Sequence, residues 1–262
     1  MSRKTSTTSL LLLLVAALAL AVPARPCLAV AGGSTDMSLL ESTYSGLTND
    51  YVYSTRGGTS VAIGYFTMVT AAHYSINTVD DTTAGYDTFV INGDTWRVAS
   101  AETVMSGTTN TDIRILHMEN MTNQYRALPG FYNLYTYSGS WPTSTKSVVI
   151  IGAGDDGSTD ATATIGGGVS VGQYYTDWSG TRALRWGTNT IDQVAVDRTI
   201  QDSHTGTTIT RTTKTVKLSY GWTGTRGTES GITVGDSGAG FFVNDNGQWK
   251  LAAMGLYFDY YF

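Results

Sequence analysis

The chain has 262 residues, with 16 basic against 21 acidic side chains and one cysteine. A net charge of −5 disfavours nucleic-acid binding, because a phosphate backbone calls for a basic surface. One cysteine excludes a disulfide-stapled scaffold, so stability must come from a packed core.

Residues 1–31 read as a secretory signal peptide: Arg3 and Lys4 precede an unbroken apolar run from Leu10 to Val22, and small residues follow around Cys27 to Ala31. The run is too short to anchor in a bilayer and gives way to Pro23 and Pro26. The mature chain, residues 32–262, is therefore expected to be secreted or periplasmic, with no membrane span. Pro26 directly before Cys27 argues against a lipid anchor, so the mature chain is expected to lack cysteine. Loss of Arg3, Lys4 and Arg25 makes it more acidic still.

Asp36 to Leu47 is the only stretch with an amphipathic look, a helical turn or an entry segment. Beyond it Thr, Val, Ile and Tyr recur in short alternating runs broken by Gly, Asn, Asp and Ser, an all-β pattern. Strands are predicted at Val61–Ile63, Thr88–Ile91, Trp96–Val98, Ile113–Leu116 and Ser147–Ile151, then at Val169–Tyr175, Ile191–Val196, Thr207–Leu218, Gly240–Val243 and Trp249–Tyr257. Tyr125 to Ser144 is loop-like and is placed between two halves. Regularly spaced short strands imply a sandwich or barrels.

Three places along this pattern carry candidate chemistry. His73 closes Met68-Val69-Thr70-Ala71-Ala72-His73, where small residues let the backbone pack closely and leave an imidazole at a strand end; a structural histidine fits equally well. Asp112 stands at the mouth of the alternating run Asp112-Ile113-Arg114-Ile115-Leu116, where a carboxylate is costly to bury without a partner. Ser237 lies in Gly235-Asp236-Ser237-Gly238-Ala239-Gly240, ahead of an apolar strand. Glycines there allow a tight turn in which the N–H groups of Gly235 and Ser237 converge beside the hydroxyl, although an ordinary hairpin turn uses the same residues. A serine hydroxyl needs a base, and that base needs an orienting acid; His73 and Asp112 fill these roles better than His117, His204 or the loop aspartates 80, 81, 87 and 94.

Other chemistries fit less well. Gly152-Ala153-Gly154-Asp155-Asp156-Gly157 has the spacing of a dinucleotide loop, but no helical pattern follows it. No histidine lies beyond His204, which excludes the α/β-hydrolase order, and no His/Cys/carboxylate cluster has metal spacing. No metal and no cofactor are expected.

Together, Thr70-Ala71-Ala72-His73, Asp112 to Leu116 and Gly235 to Gly240 resemble the catalytic signatures of the trypsin/chymotrypsin family, in that family's order. Val148 to Gly154 resembles the strand that opens its second barrel, and Trp249 to Ala253 the strand after the nucleophile. The resemblance covers residues 50–258 and implies two antiparallel six-stranded β-barrels, at about 50–130 and 145–262 in this numbering, with a cleft between them. It implies a secreted serine endopeptidase, monomeric, acting on protein or peptide substrates. His73 would be the general base, Asp112 its orienter and Ser237 the nucleophile. The oxyanion would be met by Gly235 and Ser237, and Asp236 would lock the loop, in the family often by pairing with a new α-ammonium group. A leader cut after Ala29 would leave Val30-Ala31-Gly32-Gly33, which is similar to the family's activated start; a cut after Ala31 suits the leader equally.

Two departures accompany the resemblance. The position that floors the family's specificity pocket falls on Gly231, so cleavage after Arg or Lys is not expected. The chain stops at Phe262, where the family continues through a further strand and a helix, so the second barrel is expected to be incomplete or differently closed. A second class stays open: a catalytically inactive protease-like binding or surface-interaction protein, which the short end and the many Tyr and Trp side chains would suit.

Overall fold

The structure, a computed structural model, describes residues 34–55, 58–73, 87–136, 147–154, 160–165, 169–175, 183–202, 209–218, 232 and 236–256. It is mostly β. A helix, α1 (Met37–Thr43), precedes β1 (Val52–Ser54), β2 (Thr59–Gly64), β3 (Thr67–Ala71), β4 (Thr88–Ile91), β5 (Asp94–Ser106) and β6 (Thr109–Asn120). Then come β7 (Asn133–Leu134), β8 (Ser147–Gly152), β9 (Asp160–Ile165), β10 (Val169–Tyr175), β11 (Arg185–Asp202), β12 (Ile209–Leu218), β13 (Gly240–Asp245) and β14 (Gln248–Met254).

The amphipathic stretch Asp36 to Leu47 is helical for only two turns. Asp36 caps it, its Oδ1 accepting from the Leu39 N–H at 3.1 Å and from the Ser38 hydroxyl at 2.6 Å. These bonds hold the Asp36 carboxyl below its ordinary value. Leu40 and Leu47 are the residues this segment buries.

Strands β1 to β6 form a curled six-stranded antiparallel half-barrel in the order β1-β2-β3-β6-β5-β4. Alternation is clear on β4, where Phe89 and Ile91 face in and Thr88 and Val90 face out. The interior holds Ala62, Met68, Phe89, Ile91, Trp96, Val98, Leu116, Met118 and Leu128. At its rim the buried Asp94 accepts from Asn120 Nδ2 at 3.1 Å and from Arg126 Nη1 at 2.9 Å. The Arg126 hydrogen bond first, and the Asn120 bond second, hold the Asp94 carboxyl below its ordinary value.

The second sheet runs β12-β11-β8-β13-β14-β7, with β7 on β14 as its parallel pair, and β9 and β10 pair as a separate hairpin. Beneath it Val148, Ile150, Ile191, Ala239, Phe241 and Val243 pack together. A third cluster joins the two sheets and α1: Leu40, Leu47, Val52, Val61, Val69, Val149, Ile151, Trp186 and Phe242 are all buried in it. This shared core fixes the edges of the two sheets against each other, where the candidate residues lie. Among the described residues no helix is long and apolar enough to cross a membrane.

Candidate active site

Strand register places the first pair. Thr70 lies opposite Arg114 and Ala71 opposite Ile113, so the next step brings Ala72 beside Asp112, where the Ala72 N–H donates to the Asp112 carbonyl at 3.1 Å. The following residue, His73, then meets the Asp112 side chain twice. Its backbone N–H donates to Oδ1 at 2.7 Å, and its Nδ1 lies 2.7 Å from Oδ2. Ala71 and Ala72 are fully enclosed, and a larger side chain at either would push the two strands apart.

The turn that carries Ser237 comes from the other sheet. Strand β13 pairs with β8, Gly240 opposite Ile151, and just before it residues 236–239 close a turn in which the Ala239 N–H donates to the Asp236 carbonyl at 2.7 Å. Gly238 sits at φ +87°, a backbone that L side chains rarely adopt. The turn delivers Ser237 Oγ to 2.8 Å from His73 Nε2. Asp112, His73 and Ser237 thus form one hydrogen-bonded chain drawn from three elements. Asp112 is 1% exposed and the His73 side chain 27% exposed, so the chain runs from a dry end to an accessible one.

Asp236 is fully buried, its Oδ1 accepting from the Gly154 N–H at 2.7 Å. Gly152 and Gly154 leave room for it. A Cβ on Gly154 would stand 2.7 Å from the Asp236 carboxyl carbon, and one on Gly152 would overlap Oδ1. The glycine spacing that resembles a nucleotide loop is occupied by this carboxylate, and the next described element is the strand β9. Gly235 and Gly231, expected for the oxyanion and the specificity pocket, lie outside the described residues. So do residues 30–33, and with them the expected α-ammonium partner of Asp236. His117 is surface-exposed, 3.5 Å from Glu102, and takes no part in the site.

Sequence reasoning missed three contributors. Thr59, completely buried at the head of β2, donates its N–H to the Ser237 carbonyl at 2.7 Å and accepts at its hydroxyl from the Ala153 N–H at 2.8 Å. Its own carbonyl accepts from the Thr70 hydroxyl at 2.7 Å, so one residue ties together β3, the Ser237 turn and the end of β8. The other two lie on β12, which crosses from the second sheet to pack on β6. The Thr213 hydroxyl accepts from the Asp112 N–H at 2.6 Å, and buried Arg211 holds its Nε 3.9 Å from Asp112 Oδ1. No local pattern around any of them marks such a role.

No protein-family model matches this chain, and no curated protein matches it.

Proposed function

We propose that this protein is an exported serine endopeptidase of the trypsin/chymotrypsin type that works through an acyl-enzyme. The observation that carries the reading is the unbroken chain from Asp112 through His73 to Ser237, with contacts of 2.7 and 2.8 Å. Residues 39 and 164 positions apart in sequence meet there in the order the chemistry needs. The strand order β1-β2-β3-β6-β5-β4, with a second sheet supplying the serine, suits a two-barrel arrangement over about residues 50–130 and 145–262 after a cleaved leader.

In this reading Ser237 Oγ attacks the scissile carbonyl carbon while His73 Nε2 takes the hydroxyl proton. The negative charge on the former carbonyl oxygen is met by the N–H groups of Gly235 and Ser237. As the carbon–nitrogen bond breaks, His73 returns the proton to the leaving amine, and Ser237 is left as an ester. Water then attacks the ester, His73 again taking a proton and passing it back to Ser237 Oγ as the carboxylic acid leaves. Asp112 holds the imidazole with Nε2 toward the serine and balances the transient imidazolium. Asp236 locks the turn from below.

The test is the intact mass of the mature protein before and after a fluorophosphonate, with hydrolysis of a mixed peptide pool followed in parallel. Wild type should gain one phosphonyl group, with loss of fluoride, whereas S237A and H73A should gain none and lose at least about 10⁴ in turnover. A folded wild type that gains no mass and cuts no peptide would overturn the protease reading in favour of an inactive, protein-binding relative.

A further inference from the structure

Resting on the protease reading, we infer that Arg211 is a positioning residue whose charge, buried against Asp112, sets how readily His73 gives up its proton. Asp112 is 1% exposed and Arg211 3% exposed, and the guanidinium Nε lies 3.9 Å from Oδ1. Oδ1 takes the backbone N–H of His73, and Oδ2 faces the ring. The cation therefore meets the carboxylate on the side away from the imidazole. A carboxylate this dry is strongly destabilised unless its charge is offset, and an uncompensated one would hold a proton on the neighbouring imidazole. An imidazole that keeps its proton cannot accept one from Ser237. Arg211 offsets part of the carboxylate charge and so weakens that hold on the imidazole proton, while Asp112 can still stabilise the brief imidazolium.

Among the described residues the other charged groups on the packed elements are less well placed to do this: on β11, buried Arg185 turns its Nη1 to the Gly154 carbonyl at 3.4 Å. On β6, Arg114 follows two positions along, opposite Thr70 on β3, and like Arg211 it has a further partner. On β5, Glu102 is exposed beside His117. On β12 and β11, Lys214 and Asp197 pair with each other at the surface. On the nucleophile turn, Asp236 is bound to Gly154. On β3, Thr67 to Ala71 carries no charge. Thr213, two residues beyond Arg211, fixes the Asp112 backbone, so β12 holds both the position and the charge of this carboxylate.

The experiment is an NMR titration of the His73 ring in the full mature protein, assigned by the loss of its signal in H73Q, for wild type, R211M and R211K. The pH dependence of fluorophosphonate labelling is recorded alongside. In R211M the His73 midpoint should rise by about half to one pH unit, and the acid limb of labelling should move with it. R211K, which keeps the charge, should return toward the wild-type midpoint. Should R211M fail to fold, R211Q carries the same expectation. An R211M or R211Q midpoint that is unchanged or lower would assign Arg211 to packing and overturn the inference. A wild type that titrates normally but never labels would overturn the protease reading instead, and the midpoint comparison would still decide the role of Arg211.

Discussion

Alanine at Gly238 and at Gly247 imposes the same backbone problem in two different surroundings. Gly238 has φ +87° and Gly247 φ +86°. A left-handed backbone costs an L side chain about 1–2 kcal/mol, and the gain from restricting the unfolded chain is common to both sites. The surroundings differ. A Cβ on Gly247, in the β13–β14 turn, meets nothing within 4 Å, whereas one on Gly238 would overlap the Thr59 carbonyl oxygen and stand 2.7 Å from Thr70 Oγ1. Thr59 has little room to retreat, since its N–H, hydroxyl and carbonyl are bound to Ser237, Ala153 and Thr70 respectively. Overpacking of this kind adds about 1–3 kcal/mol. G247A should therefore lose about 1–2 kcal/mol and G238A about 2–5 kcal/mol. Urea unfolding reads both values, and G238A should also lose the fluorophosphonate labelling that the proposed function expects of Ser237. Equal losses for the two variants would refute the packing of the turn against Thr59.

Two further outcomes concern stability away from the triad. Because Arg126 and Asn120 depress the Asp94 carboxyl below its ordinary value of 3.8, its ionised form contributes stability that is present above that pH. That contribution is lost as the pH falls through the depressed folded value. The thermal midpoint of D94N should accordingly lie below wild type at neutral pH and converge with it in acid; a gap that widened in acid would contradict the pairing. The Tyr132 hydroxyl donates to the Thr48 carbonyl and accepts from the Thr48 N–H at 2.8 Å, so Y132F should cost about 1–3 kcal/mol of unfolding free energy and leave labelling by fluorophosphonate unchanged.

What could be read from the sequence tracks how local the cause was. Thr88–Ile91 was legible to the residue because its alternation is produced by one buried face. Thr67–Ala71 lacks alternation, being buried on four successive residues, and was read only as the apolar strand end Met68 to Ala72 leading into His73. The long strands β5 and β6 were visible only at Trp96–Val98 and Ile113–Leu116. Beyond these, register shifts between Val98 and Ser100 and between Thr103 and Met105 break the period that the eye follows. Asn133–Leu134 is a strand solely because Lys250 and Leu251 pair with it, within a stretch that reads as a loop. The triad candidates were legible because each stands in its own frame of small or alternating neighbours. Arg211 and Thr213 were not, because their meaning depends on β12 crossing to the other sheet.

The same distinction explains why separate motifs belong to one device. Gly152-Ala153-Gly154 runs out of the end of β8, Asp236-Ser237-Gly238 precedes β13, and Thr59 opens β2, so nothing in the linear order joins them. Pairing of β8 with β13 brings the first two together, and the glycines then make space for a carboxylate rather than a phosphate. A buried carboxylate accepting from Gly154 fixes the turn from the second sheet, and the Thr59 N–H fixes it from the first through the Ser237 carbonyl. Ser237 is consequently held by its backbone from both sides, leaving its side chain as the part of the turn that reaches His73. Disturbing either tether should move Oγ relative to Nε2 without touching the triad itself, which makes alignment of this serine a property of the junction between the sheets.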